Sequence, residues 1–82
     1  MRILDGESNK PLNQITLYLT IEEVKEIKDS LEALLNRPRE NHQHISSEDF
    51  TKEITVCVYD LEDPNLLNSF DERSIKLINF DE

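Results

Sequence analysis

Alternating apolar and polar side chains mark two segments of the chain as strands. In "QITLYLT", residues 14–20, every second residue is Ile or Leu, and in "EITVCVYD", residues 53–60, Ile54, Val56 and Val58 alternate with polar neighbours. Because successive side chains of a strand point to opposite faces, this pattern predicts two half-buried strands. The segments "MRILD" (1–5) and "NHQHIS" (41–46) are predicted as two shorter strands.

An apolar stripe of helical period follows the first of these strands. Thr20 and Glu23 have the spacing of a capping box, in which each side chain accepts a hydrogen bond from the other residue's backbone N–H. Pro38 disfavours helical geometry at the residue before it, so the helix should end near Asn36. The sequence therefore predicts a helix over about 21–36 whose apolar stripe is Val24, Ile27, Leu31, Leu34 and Leu35.

The last part of the chain predicts a short second helix. Ser69 and Glu72 have capping-box spacing, and Leu77 and Ile78 follow Phe70 by seven and eight residues. These features favour a helix over about 70–79. The run "SIKLINF" also shows partial strand alternation, so a strand is the alternative for this segment.

These elements predict a single α+β domain over residues 1–82, with the order strand, strand, helix, strand, strand and a short final helix. The main helix would pack on one face of a mixed or antiparallel sheet of three to four strands, forming two layers. The opposite sheet face would carry Tyr18 and Tyr59 together with Thr16, Thr55 and Cys57. The predicted core consists of Leu17, Leu19, Val24, Ile27, Leu31, Leu34, Ile54, Val56 and Val58.

The charge of the chain constrains its partners. The 82 residues carry a net charge of −9. Residues 1–41 hold eight acids and six bases, a net charge of −2, whereas residues 42–82 hold ten acids and three bases, a net charge of −7. An acidic surface repels nucleic-acid phosphates and anionic lipids, so neither nucleic acid nor membrane is an expected partner. It attracts a basic protein.

The cysteine content, the glycine content and the hydropathy of the chain limit the cellular location and the cofactor binding that the sequence predicts. The single cysteine, Cys57, excludes an internal disulfide, and no apolar run has the length of a signal peptide or a membrane span, which predicts a cytoplasmic protein. Gly6 is the sole glycine, so no glycine-rich phosphate-binding loop is present and no cofactor is predicted.

The run "HQHISSED" is the one candidate for chemistry. In an extended segment His42 and His44 project from the same face and could ligate one divalent ion, with Asp49 or Glu48 as a further ligand. The alternative is an exposed polar strand followed by a turn. No catalytic residue is predicted, because Cys57 lies between two valines without a nearby cation in the sequence, and serines close to a histidine do not establish a triad.

The pattern of "LYLT" and "EE", then "DSLEALL", "HQHI" and "EITVCVYD" resembles small conserved bacterial proteins of unassigned function. The resemblance covers roughly residues 15–60. It implies an α/β domain in the bacterial cytoplasm and assigns no functional residue.

Two functions of different class follow from these observations. The first is a non-enzymatic interaction or regulatory module that binds a basic protein, or a second copy, through the Tyr18/Tyr59 face or the acidic C-terminal half. An inhibitor of the immunity-protein or antitoxin kind is one version. The second is a metal-binding protein or metal-dependent enzyme that uses His42, His44 and Asp49. The contact residues predicted for the first function are Tyr18, Tyr59, Asp60, Glu62 and Asp63.

Overall fold

The computed structural model describes residues 1–82 and contains two antiparallel hairpins and three helices. The α+β class is therefore confirmed. In chain order the elements are β1 (Ile3–Asp5), β2 (Lys10–Leu12), α1 (Ile21–Asn36), a 3₁₀ turn (Pro38–Glu40), β3 (His42–Ser46), β4 (Glu53–Cys57), α2 (Pro64–Leu67) and α3 (Glu72–Phe80).

The predicted sheet of three to four strands is not present. β1 pairs only with β2, and β3 pairs only with β4, in two separate antiparallel sheets. The predicted strand at residues 14–20 is not formed, because its backbone has no strand beside it. No backbone–backbone hydrogen bond involves residues 13–19. The shorter strands predicted near 1–5 and 41–46 are confirmed as β1 and β3.

Helix α1 begins and ends where the sequence predicts. The Thr20 N–H donates to Glu23 Oε1 at 2.9 Å, and the Glu23 N–H donates to Thr20 Oγ1 at 3.1 Å, which completes the capping box. At the other end the Arg37 N–H donates to the Ala33 carbonyl, and Pro38 follows at once. The helix packs against β3.

The C-terminal segment is helical, as predicted, but its cap differs from the prediction. Asp71, rather than Ser69, caps α3, and its carboxylate accepts from the Ser74 N–H at 2.8 Å. Ser69 instead donates its hydroxyl to the Leu66 carbonyl and accepts from Asn41 Nδ2 at 2.8 Å. Ser69 thereby joins the end of α2 to the start of β3.

The core is smaller than predicted and lies nearer the C-terminus. Of the nine predicted core residues only Leu34 is buried, and the other four buried residues come from β3, α2 and α3. Four other predicted core residues are half-buried: Ile27, Ile54, Val56 and Val58. The remaining four are exposed: Leu17, Leu19, Val24 and Leu31. The five buried residues are Leu34, Ile45, Leu66, Leu77 and Ile78.

Two arginines connect the N-terminal hairpin to α3. Arg2 Nε donates to the Ile78 carbonyl at 3.1 Å, and Arg73 donates from Nε and Nη2 to the side chain and carbonyl of Asn9 at 2.9 and 3.0 Å. Asn9 adopts a left-handed conformation (φ 59°) in the β1–β2 turn. These bonds hold β1 and β2 in place without joining them to β3 and β4.

Candidate functional site

The most exposed apolar part of the chain is residues 13–21, hereafter the unpaired segment. Its backbone is unpaired from 13 to 19, as described above. Tyr18 is 94% exposed and Ile21 75% exposed. The other large apolar residues of the segment, Ile15, Leu17 and Leu19, are also exposed, so their alternation does not bury either face. Exposed apolar clusters of this kind are typical of contact surfaces.

A groove separates the unpaired segment from the β3–β4 hairpin. It has a volume of about 460 Å³ and is open to solvent along one side. Leu17 and Leu19 form one wall, and Ile27, Ile45 and Ile54 of α1, β3 and β4 are among the residues that line the remainder. The segment is not a third strand of this sheet, because no backbone hydrogen bond joins it to β3 or β4.

A second exposed apolar surface lies on α1. The buried side of the helix runs through Ile27 and Leu34, whereas Val24, Leu31 and Leu35, at a neighbouring angle on the helix, are 51%, 46% and 79% exposed. We call these three residues the α1 stripe. They belong to the predicted apolar stripe, but the helix turns only one edge of that stripe toward the protein.

The β3–β4 hairpin displays a polar face to solvent. Residues paired across antiparallel strands project from the same face, so His42 shares a face with Cys57, and His44 with Thr55. The two imidazole rings are 4.9 Å apart, as the sequence spacing predicts. His44 Nδ1 lies 2.8 Å from Thr55 Oγ1 and 2.9 Å from Glu53 Oε1, and His42 Nδ1 lies 2.6 Å from Asn41 Oδ1.

Asp49, the third predicted metal ligand, is engaged elsewhere. Its carboxylate accepts from the hydroxyls of Ser47 and Thr51, at 2.6 and 2.8 Å, and from the Thr51 N–H at 3.1 Å. These bonds, that from Ser47 first, lower the pKa of Asp49 to about 2. The structure contains no group of three or more His, Cys, Asp or Glu residues placed to hold a metal ion. Burial raises the pKa of the Cys57 thiol, which disfavours a thiolate ligand.

A polar contact between α1 and the β3–β4 turn was not predicted from the sequence. The second carboxylate oxygen of Glu23 accepts from the Glu48 N–H at 2.9 Å. The Thr20 and Glu48 backbone N–H groups, in that order, lower the pKa of Glu23. The capping-box spacing identified the first of these bonds. The second joins residues 25 positions apart and leaves no local signal in the sequence.

The predicted acidic contact residues lie in the turn that follows β4, and two of them form hydrogen bonds that stabilise it. Asp60 accepts from the Glu62 N–H at 2.9 Å, while Asp63 caps α2 through the Leu66 N–H at 3.2 Å and pairs with Arg39 at 3.4 Å. Glu62 is exposed and forms no ion pair. The charges are therefore on the surface, but two of the three carboxylates also have structural roles.

The structure does not join Tyr18 and Tyr59 in one sheet face. Tyr18 lies in the unpaired segment, and Tyr59 is half-buried in the chain after β4 ends at Cys57. The predicted shared face depended on residues 14–20 being a strand beside β4, and that pairing is absent. Each tyrosine must therefore be considered separately.

The chain matches no protein-family model, no curated protein and no solved structure. No helix of the protein combines the length and the apolar character that a membrane span requires.

Proposed function

We propose that this protein is a non-enzymatic interaction module whose partner is a basic protein with an apolar contact surface. The supporting observation is the distribution of its apolar side chains. Only five residues are buried, whereas fourteen large hydrophobic residues are exposed. The α1 stripe alone offers three adjacent apolar side chains on a rigid helix. Apolar centres with polar rims are the usual composition of protein–protein interfaces.

The chemistry of the partner follows from charge. Residues 60–82 hold seven acids and two bases. One of these bases, Arg73, is bonded to Asn9, which leaves Lys76 as the only other positive side chain in this region. A field of this sign speeds the encounter with a cationic surface and slows that with an anionic one. An inhibitor of a basic enzyme, of the immunity-protein or antitoxin kind, is one version of this function.

The test captures the partner and then measures binding with purified components. The immobilised protein is incubated with a host lysate, bound proteins are identified by mass spectrometry, and the candidate is purified for binding measurements. We expect Leu31→Ser/Leu35→Ser to weaken binding at least tenfold, because it removes two apolar side chains from the stripe without changing the charge. The matched control is Phe50→Ser, which removes an apolar side chain that is 84% exposed and lies outside the stripe.

The salt dependence of binding distinguishes the contribution of long-range charge attraction from that of the apolar contact. At moderate ionic strength charges are screened over ~8–10 Å, and this length shrinks as salt rises. The association rate should therefore fall with salt, and Glu62→Gln should reproduce part of that decrease. An association rate that does not respond to salt, or a captured partner with an acidic contact surface, would contradict the proposal.

A metal-dependent function through His42, His44 and Asp49 has less support. The two imidazoles are close enough to share an ion, but the Asp49 carboxylate accepts three hydrogen bonds within its own turn. Two ligands are half of a tetrahedral zinc site.

A further inference from the structure

The unpaired segment has the side-chain alternation of a strand but no backbone partner. Its amide and carbonyl groups form no backbone hydrogen bonds from residue 13 to residue 19, and its side chains alternate between apolar and polar. An exposed run of free donors and acceptors is a template for pairing with another chain. Since β1 pairs only with β2 and β3 only with β4, no strand of the same chain pairs with this segment.

The segment is self-complementary about Leu17. In an antiparallel pair centred on that residue, Leu17 lies opposite its own copy. Ile15 then lies opposite Leu19, and Thr16 opposite Tyr18, with Gln14 and Thr20 at the ends. Apolar residues thus meet apolar residues, and hydroxyl-bearing residues meet each other. Cross-strand pairs of these kinds stabilise a sheet.

The charge distribution along the chain permits contact with a second copy through residues 11–21. The chain carries a net charge of −9, so two copies generally repel each other. Residues 11–21 contain no charged side chain, although one-third of the whole chain is charged. Contact through this region therefore places no like charges opposite one another, and it provides no acid to attract a basic partner.

The exposed apolar area of the segment sets the size of the contact. The exposed parts of Ile15, Leu17, Tyr18, Leu19 and Ile21 amount to roughly 600 Å² per protomer, given typical side-chain areas, which is the most that these residues can bury. For two protomers this upper bound is about 1,200 Å², at the lower limit for specific, stable interfaces, so the dimer should dissociate on dilution. A two-fold axis makes this contact isologous, which is the commonest symmetry of small oligomers.

We infer that the protein forms a two-fold symmetric dimer in which residues 14–20 of two copies pair as antiparallel strands centred on Leu17. The inference goes beyond the proposed function, because the partner is a second copy and the residues lie outside the α1 stripe. The dimer joins the unpaired segments, whereas the proposed partner contacts the α1 stripe.

The first test is the mass in solution. Size-exclusion chromatography with light scattering should give twice the protomer mass of 9.6 kDa, decreasing toward 9.6 kDa on dilution. Leu17→Lys should give a monomer, because it places two ammonium groups opposite each other at the two-fold axis. The matched control Leu35→Lys, at an exposed apolar residue of α1, should stay dimeric. A monomer at every concentration, or a dimer that Leu17→Lys leaves intact, would overturn the inference.

The second test is cross-linking, which does not depend on how Leu17→Lys folds. In a Cys57→Ser background, Leu17→Cys places two thiols on residues whose Cα atoms are ~4.5–5.5 Å apart in the paired state, within the range of a disulfide. Mild oxidation should convert this variant to a covalent dimer at least tenfold faster than Phe50→Cys, an exposed control outside the segment. Equal rates would contradict the predicted register. Binding of a basic partner by Leu17→Lys would be unaffected, so failure of the dimer and failure of the proposed function give different results.

Discussion

Two segments with the same side-chain alternation have different fates in this protein. Residues 53–57 pair with β3 as strand β4, whereas residues 14–20 form no strand. β4 follows its partner after a six-residue turn, which Asp49, Ser47 and Thr51 hold together through their hydrogen bonds. The unpaired segment runs instead from the β1–β2 hairpin into α1. Alternation selects the two faces of a strand, but a strand forms only where a second backbone completes the hydrogen bonds.

The largest expected difference concerns stability. Ile45 of β3 is 3% exposed, whereas Leu17 of the unpaired segment is 47% exposed. Ile45→Ala should therefore lower the free energy of unfolding by about 2–5 kcal/mol, while Leu17→Ala should lower it by about 1 kcal/mol or less. Urea unfolding at a protein concentration low enough to keep the chain monomeric measures both. Equal losses would show that the segment belongs to the core of the single chain.

The same contrast applies to two sides of α1. Leu34 is 5% exposed and Leu31 46% exposed, although they are three residues apart on one predicted stripe. Leu34→Ala should cost about 2–5 kcal/mol and Leu31→Ala about half as much or less, because the cost follows the apolar area removed from water. Thermal unfolding of the two variants, identical in side-chain chemistry, measures the difference. A larger effect at Leu31 would mean that the helix presents its other side to the core.

These comparisons show what the sequence can and cannot predict. Features determined by a few neighbouring residues were predictable: the Thr20 cap, the end of α1 before Pro38, and the proximity of His42 and His44. Features that need two distant parts of the chain were not. The missing partner of residues 14–20 and the contact of Glu23 with Glu48 are of this kind. The position of Leu31 also depends on packing, because a helical stripe does not specify which edge faces the protein.

A smaller effect concerns the turn that brings β4 to its partner. The pKa of Asp49 is about 2 in the folded protein, against an ordinary value of 3.8. Its contribution to stability is therefore fully present above pH 3.8 and is lost as the pH falls toward about 2. The unpaired segment itself contains no carboxylate, so its own side chains add nothing to this dependence.

Asp49→Asn should flatten this part of the acid-unfolding curve, which circular dichroism at a series of pH values between 5 and 2 records. The pKa of Asp5 is also lowered, first by the hydrogen bond from the Ser8 hydroxyl, and those of Glu23 and Asp71 are lowered first by backbone hydrogen bonds. Some acid sensitivity should therefore persist in the variant. The matched control is Glu62→Gln, whose carboxylate forms no ion pair. Identical curves for Asp49→Asn and the original protein would show that the turn does not depend on this charge.

The smallest expected effect is at the polar face of the β3–β4 hairpin. We expect His42→Ala/His44→Ala to change the free energy of unfolding by no more than ~0.5 kcal/mol per site, as exposed substitutions usually do. The variant should retain the dimer, because the two histidines lie on β3 and not in the unpaired segment. Calorimetric titration with zinc should show only weak binding for both proteins, since the two imidazoles lack a third ligand. A tight one-to-one zinc site that this double substitution abolishes would contradict this expectation. The paired hairpin, rather than the unpaired segment and the α1 stripe, would then carry the function.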